Sequence, residues 1–145
     1  MNERLVSDTN VVLAALRSAT GASAALLRHV ALGRVTPLLS VALVLEIEAV
    51  LSRPEQLAAT GLTLALVQDF VDELCALAEP VRIHFAWRPM LHDAADEMVL
   101  EAAVNGQANA LVTFNLKDFL PAAQSFAVEV IGPITALRVF NLLDR

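Results

Sequence analysis

The sequence has a single cysteine, Cys75, so it can form no internal disulfide and no zinc site built on several thiolates. Its three histidines, His29, His84 and His92, fall at no ligand spacing. What remains for metal chemistry is oxygen, so any bound ion is expected to be a hard cation such as Mg2+ or Mn2+. Long hydrophobic runs are missing too. One apolar stretch, Val41–Leu45, is preceded by Leu38, Leu39 and Ser40 and stopped by Glu46, and no other run is more than a residue longer. That falls well short of the roughly 20 residues a membrane-spanning helix needs. At the N-terminus, Glu3 and Asp8 put acid where a secretory leader would need a basic start and an unbroken apolar core. The expectation is a cytoplasmic protein with no membrane association. Basic charge is also short, with 10 Lys and Arg against 16 Asp and Glu and a net charge of −6. This argues against a wide phosphate-gripping surface. It leaves room for chemistry on nucleic acid, because a bound cation reverses the local sign. It also suits a basic protein partner. With no repeat, low-complexity tract or Gly/Ser linker, the 145 residues are expected to form one domain.

What the sequence does have is apolar residues, 57% of the total, at a mean hydropathy of +0.60. Without a membrane segment, that content implies a buried parallel sheet and an apolar subunit interface. Strand-like and helix-like segments alternate. Arg4–Ser7, Val35–Leu39, Val81–Phe85, Ala110–Thr113 and Phe126–Ile131 read as strands. Helices are expected from Val11 to Ser18, from Ala22 to Leu32 (closed by Gly33), and from Ser40 as N-cap to Leu51, ended by Arg53-Pro54. Further helices are expected over Leu62–Ala78, ended by Glu79-Pro80, from Asp93 to Asn105-Gly106, and from Ile134 to Leu143. The alternation predicts an α/β domain with a central, mostly parallel sheet of four to five strands flanked by helices. In such sheets ligands bind beyond the carboxyl ends of the strands, which directs attention to Asp8 and Asn115.

The acids near those ends each have a plain structural reading. Asp8 can cap the helix that follows it. Glu46 has Ala42, Leu43, Ala49 and Val50 as helical neighbours, but Glu48 is placed similarly, so periodicity does not separate ligand from solvated edge. Asp93, Asp96 and Glu97 resemble a capping box favoured by the helix dipole. Thr113, Asn115 and Asp118 can organise a turn. Together they form a constellation that a parallel sheet would gather on one edge.

The order of these pieces resembles the PIN-domain family, the nuclease fold of VapC-type bacterial toxins. Asp8-Thr9-Asn10-Val11 after a strand is similar to its opening motif. Glu46 with Val50-Leu51 and Arg53-Pro54 resembles a stretch of one toxin branch, as does Asp93-Ala94-Ala95-Asp96 leading into Val99-Leu100-Glu101-Ala102-Ala103. Leu111 to Phe119 resembles the fourth motif, and Val130-Ile131-Gly132-Pro133 the last strand and exit. The resemblance implies a three-layer fold and a ribonuclease that uses Mg2+ or Mn2+, held by Asp8, Glu46 and Asp96. Asp93 is a neighbouring acid, and Thr113 and Asp118 would assist. The family's fourth acid falls on Asn115, whose amide can ligate or hold water but brings no charge. The resemblance further implies an RNA substrate, a cognate antitoxin and a homodimer. Two other classes compete. One is a PIN-like module that binds or regulates without cutting, which Asn115 and the acidic charge favour. The other is a phospho-accepting receiver, which would need paired acids after the first strand, where Asp8 stands alone. A dinucleotide binder would need Gly-x-Gly-x-x-Gly after a strand, and the sequence has none.

Overall fold

The computed structural model describes residues 2–84, 91 and 93–143. Among these residues five strands form one sheet: β1 (Glu3–Ser7), β2 (Val35–Leu39), β3 (Glu79–Pro80), β4 (Ala110–Val112) and β5 (Val130–Ile131). Their order is β3-β2-β1-β4-β5 and every pairing is parallel. Eight helices accompany them among the described residues: α1 (Thr9–Arg17), α2 (Ala22–Ala31), α3 (Val41–Leu51), α4 (Pro54–Thr60), α5 (Leu64–Leu77), α6 (Ala94–Asn105), α7 (Leu116–Phe126) and α8 (Pro133–Val139). Among the described residues no single helix is long and apolar enough to cross a membrane.

Side chains alternate across a strand, and here both alternating sets are apolar, as a sheet covered on two faces requires. Val6, Leu38 and Leu111 enter one core with residues of α3, α5, α6 and α7. Leu5, Val35, Ala110 and Val112 enter a second core with residues of α2 and α8. The result is three layers. β1 lies at the centre, where the chain first builds outward to β2 and β3 and then returns to add β4 and β5 on the other side. Connections diverge at that reversal, and the crevice it opens at the carboxyl ends of β1 and β4 is the usual ligand site of such sheets.

Local chemistry explains most boundaries. Ser40 caps α3, its hydroxyl accepting from Leu43 N–H at 3.2 Å. Gly33, at a φ of +74°, makes the left-handed turn that ends α2 and points the chain into β2. Five expectations need correction. Arg53-Pro54 does more than end α3, because Pro54 also opens α4 at a position where its missing N–H costs nothing. The third strand lies at Glu79–Pro80, ahead of the expected Val81–Phe85. Val81 N–H still bonds Leu39 O at 2.9 Å, but Asn105 Oδ1 captures His84 N–H and draws the chain off the ladder; Phe85 lies outside the described residues. The segment after Asn115 is the helix α7, carrying Pro121 in its interior, and the last strand shrinks to Val130–Ile131. Phe119, Ala122 and Ala123 form one buried face of α7 that outweighs the proline, whose missing bond would fall on exposed Lys117. Finally, α8 ends at Val139, where Asn141 turns left-handed (φ +60°) and Leu142 N–H returns to Leu137 O at 2.8 Å.

Candidate functional site

Asp8 is the first residue beyond β1 and is almost fully buried, at 4% exposure. Its N–H donates to Val112 O at 2.8 Å, which fastens the end of β1 to the end of β4. Thr113, wholly buried just past β4, donates its hydroxyl to Asp8 Oδ2 at 2.9 Å. The same hydroxyl accepts from Asn115 N–H at 3.0 Å. This short chain of bonds fixes the Asp8 carboxyl from residues more than a hundred positions away. Asp8 does stand at the N-cap position of α1, but its side chain makes no capping bond of ordinary geometry. The N–H groups of Thr9 and Asn10 lie near enough to favour its charge without closing such a bond. Burial dominates and raises its pKa; the Thr113 bond and those two N–H groups oppose the rise, and Asp93 adds to it.

The second contribution comes from the start of α6. Asp93 is its N-cap, with Oδ1 accepting from Ala95 N–H at 2.8 Å, so the structural role read from the sequence is present. Asp96, half-buried in the first turn, has its pKa pushed up to about 6, first by desolvation and then by Asp8, Asp93, Asp118 and Glu97. Those charges arrive from the end of β1, the start of α6 and the first turn of α7. The structure therefore brings Asp8, Asp93 and Asp118 within electrostatic reach of Asp96, with Thr113 bonded to Asp8 and Asn115 bonded to Thr113. Asn115 and Asp118 are exposed at the rim.

Glu46 stands apart. It is half-buried on α3, a helix packed against both α1 and α6, and no hydrogen bond or ion pair joins it to the group among the described residues. Glu97 was legible only as one more acid at a helix start. It is buried at 8% exposure, and its Oε1 accepts from Leu91 N–H, anchoring the segment that leads into α6. Nothing in its spacing distinguishes it from a solvated first-turn acid. His92 lies outside the described residues.

Among the described residues no group of three or more Asp, Glu, His or Cys is gathered at ligand spacing. Charge repulsion reaches further than a coordination bond, so the two observations are compatible: the acids face one region without closing on it. Their chemistry fits a hard divalent cation. The donors are all oxygen, Asp8 keeps one carboxylate oxygen clear of the Thr113 bond, and the repulsion that raises Asp96 is what a positive charge would relieve. The family model described as "PIN domain" matches residues 4–117, from β1 into the first turn of α7. No curated protein sequence matches the chain.

Proposed function

The chain belongs to the PIN-domain family, whose members are generally nucleases that use divalent metals, and on that premise we propose that it is an Mg2+- or Mn2+-dependent endoribonuclease, the toxin of a type II toxin–antitoxin pair. The observation that carries the reading is the buried Asp8, held by Thr113, in mutual repulsion with Asp96. Asp8 and Asp96 would hold the cation, directly or through water. When bound, the cation supplies a more acidic water and neutralises charge on the phosphate. Glu46 completes the set from α3 or orients the attacking water. Thr113 keeps the Asp8 carboxyl in its rotamer, and Asn115 and Asp118 position the scissile phosphate at the rim. In the reaction one water adds to phosphorus, one P–O bond to the adjoining nucleotide breaks, and the departing oxygen receives a proton.

The partner reading follows from charge. A net charge of −6 with acids at the rim favours an antitoxin that places a basic side chain among them. Exposed apolar side chains on α3, Val41 and Leu45, suit a homodimer interface in a cytoplasmic protein. The neutral Asn115 and the absence of a closed ligand group among the described residues favour a second reading, a PIN-like module that binds without cutting. The deciding experiment is cleavage of a panel of RNAs with Mg2+ or Mn2+. Asp8→Asn and Asp96→Asn are expected to slow it by roughly 100-fold or more. Variants that cut as fast as the parent would remove the assignment, and metal binding without cleavage of any RNA would favour the second reading.

A further inference from the structure

Where β1 begins and α6 ends, a cavity of about 380 Å³ opens among Arg4, Glu79, Arg82, His84, Asn105 and Gln107. Its charge runs against that of the chain. The protein carries a net −6, yet this lining has two arginines and a histidine against one acid. That acid is already engaged: Glu79 Oε2 accepts from Arg4 Nε at 3.1 Å and also from Arg4 Nη2. Arg82 and His84 are exposed, and neither side chain makes a hydrogen bond or ion pair among the described residues. The wall behind them is fixed. Arg4 N–H donates to Asn109 Oδ1 and Asn109 N–H returns to Arg4 O, both at 2.7 Å. Asn105 Oδ1 accepts from His84 N–H while its Nδ2 donates to Glu101 O, both at 2.9 Å. Gln107 turns left-handed at a φ of +52°, a conformation costly for a residue with a side chain. From there its carbonyl accepts from Arg4 Nη1 at 3.1 Å.

We propose that this cavity is a second ligand site, which takes a phosphate monoester on Arg82 and His84. It lies apart from the carboxylates and does not rest on the ribonuclease reading. A guanidinium presents a planar fork that matches two phosphate oxygens at once, and an imidazole adds a further N–H donor. The Arg4 guanidinium, held by Glu79 and Gln107, contributes positive charge from the wall. A terminal phosphate suits this set better than a diester, since it offers three free oxygens and a charge of about −1.5 to −2. The volume falls within the range of about 300–1,000 Å³ usual for small-molecule pockets, so the group carrying the phosphate has room as well. Distance protects such an anion from the acids. Arg4 and Asp8 are four residues apart along β1, roughly 13 Å at strand spacing. Asn105 and Asp96 lie nine residues apart on α6, again roughly 13 Å. Both spans exceed the screening length of about 8 Å at physiological salt. The same phosphate chemistry comes from a free sugar phosphate or from the 5′ end of an RNA, and the test separates the two.

The test is isothermal titration calorimetry of the full chain with EDTA present, so that no cation occupies the acids. Ribose 5-phosphate is expected to bind, inorganic phosphate to compete with it, and ribose to give no heat. Arg82→Ala should weaken ribose 5-phosphate by about 10- to 100-fold, the loss of one charge-assisted pair. Arg82→Lys keeps the charge but not the fork and should weaken it less. His84→Ala should also weaken it. Both side chains are exposed and unbonded, so these variants should keep the parent's Tm, which separates lost binding from a lost fold. A trinucleotide assigns the source. If its 5′-phosphorylated form binds no tighter than ribose 5-phosphate, the ligand is a free compound; tighter binding assigns the site to an RNA end. A 5′-hydroxyl trinucleotide that competes equally well would overturn the proposal. So would a parent that binds neither ribose 5-phosphate nor phosphate, or an Arg82→Ala variant that binds like the parent. A parent that binds ribose 5-phosphate and cuts no RNA would refute the nuclease reading alone.

Discussion

Replacing Thr113 by valine keeps the volume and the β-branch but removes the hydroxyl that donates to Asp8 Oδ2 at 2.9 Å and accepts from Asn115 N–H at 3.0 Å. A hydrogen bond to a charged group contributes about 1.5–3 kcal/mol. Losing that bond should therefore raise the Asp8 pKa further. It is already raised by burial, with the Thr113 bond as the chief opposing influence. The direction of the pH effect follows from proton binding. Folded Asp8 keeps its proton to higher pH than the unfolded chain, which releases it near 3.8. Stability therefore declines as pH rises from about that value through the folded pKa, and the substitution extends the decline upward. In metal-free urea denaturation, Thr113→Val should cost about 1.5–3 kcal/mol more at pH 8 than at pH 4. A further loss of about 1 kcal/mol at the Asn115 N–H should be present at every pH. The acid limb of the RNA-cleavage profile should move to higher pH. Thr113→Ser, which keeps the hydroxyl, should retain the parent's pH dependence. If the valine variant loses the same amount at pH 4 and pH 8 and its cleavage profile does not move, the hydroxyl does not govern the Asp8 charge.

Two other substitutions test the neighbourhood. Asp96→Asn removes a carboxyl whose pKa has been pushed up to about 6 from 3.8. Its ionised form is the disfavoured one in the folded state, so the metal-free variant should gain nothing below pH 4. Above pH 6 to 7 it should gain roughly 1 kcal/mol, a figure reduced for solvent screening because Asp96 is only half-buried. Added Mn2+ should raise the Tm of the parent more than that of the variant, and equal rises would sink the metal assignment. Gly106→Ala places a Cβ 2.8 Å from Ala102 O and 2.9 Å from both Leu38 Cδ1 and Val81 Cγ2. Crowding of this kind in a packed core should cost about 1–3 kcal/mol in urea denaturation, whereas an unchanged midpoint would show that the turn relaxes freely.

Where local chemistry and tertiary packing agree, the sequence is a good guide. β2 and the start of α3 fall where Val35–Leu39 and the Ser40 cap place them, because an apolar run and a capping hydroxyl are sufficient local signals. α7 was illegible for the opposite reason. Pro121 and the turn-forming Asn115 and Asp118 argue against a helix locally, and only the core that receives Phe119 and Ala122 overrules them. β3 is two residues long and contains a proline, so no pattern marks it, and its pairing with Leu38 and Leu39 is decided by the sheet. At the site, acids at strand and helix ends can be read from the chain and a parallel sheet implies that they gather, but the bonds that hold each one cannot be read. Thr113 looks like a turn residue until the Asp8 carboxyl is found against it, and Glu97 hides among first-turn acids although it is buried. Phe114 reads as one more member of a turn motif, and its exposure shows only in the folded chain.

The parallel pairing of β1 with β4 has a consequence for how the chain reaches this state. No hairpin can close that pair early, since Leu5 meets Ala110 and Ser7 meets Val112 only after every intervening helix has been made. Contacts so distant along the chain slow folding and leave apolar strand edges open while it proceeds. A chain stopped anywhere before residue 110 would present β1 with one edge bare and Asp8 without its hydroxyl donor. Ribosome-bound or proteolysed fragments should therefore be sticky and incompetent, with the carboxylate arrangement appearing in a single late step.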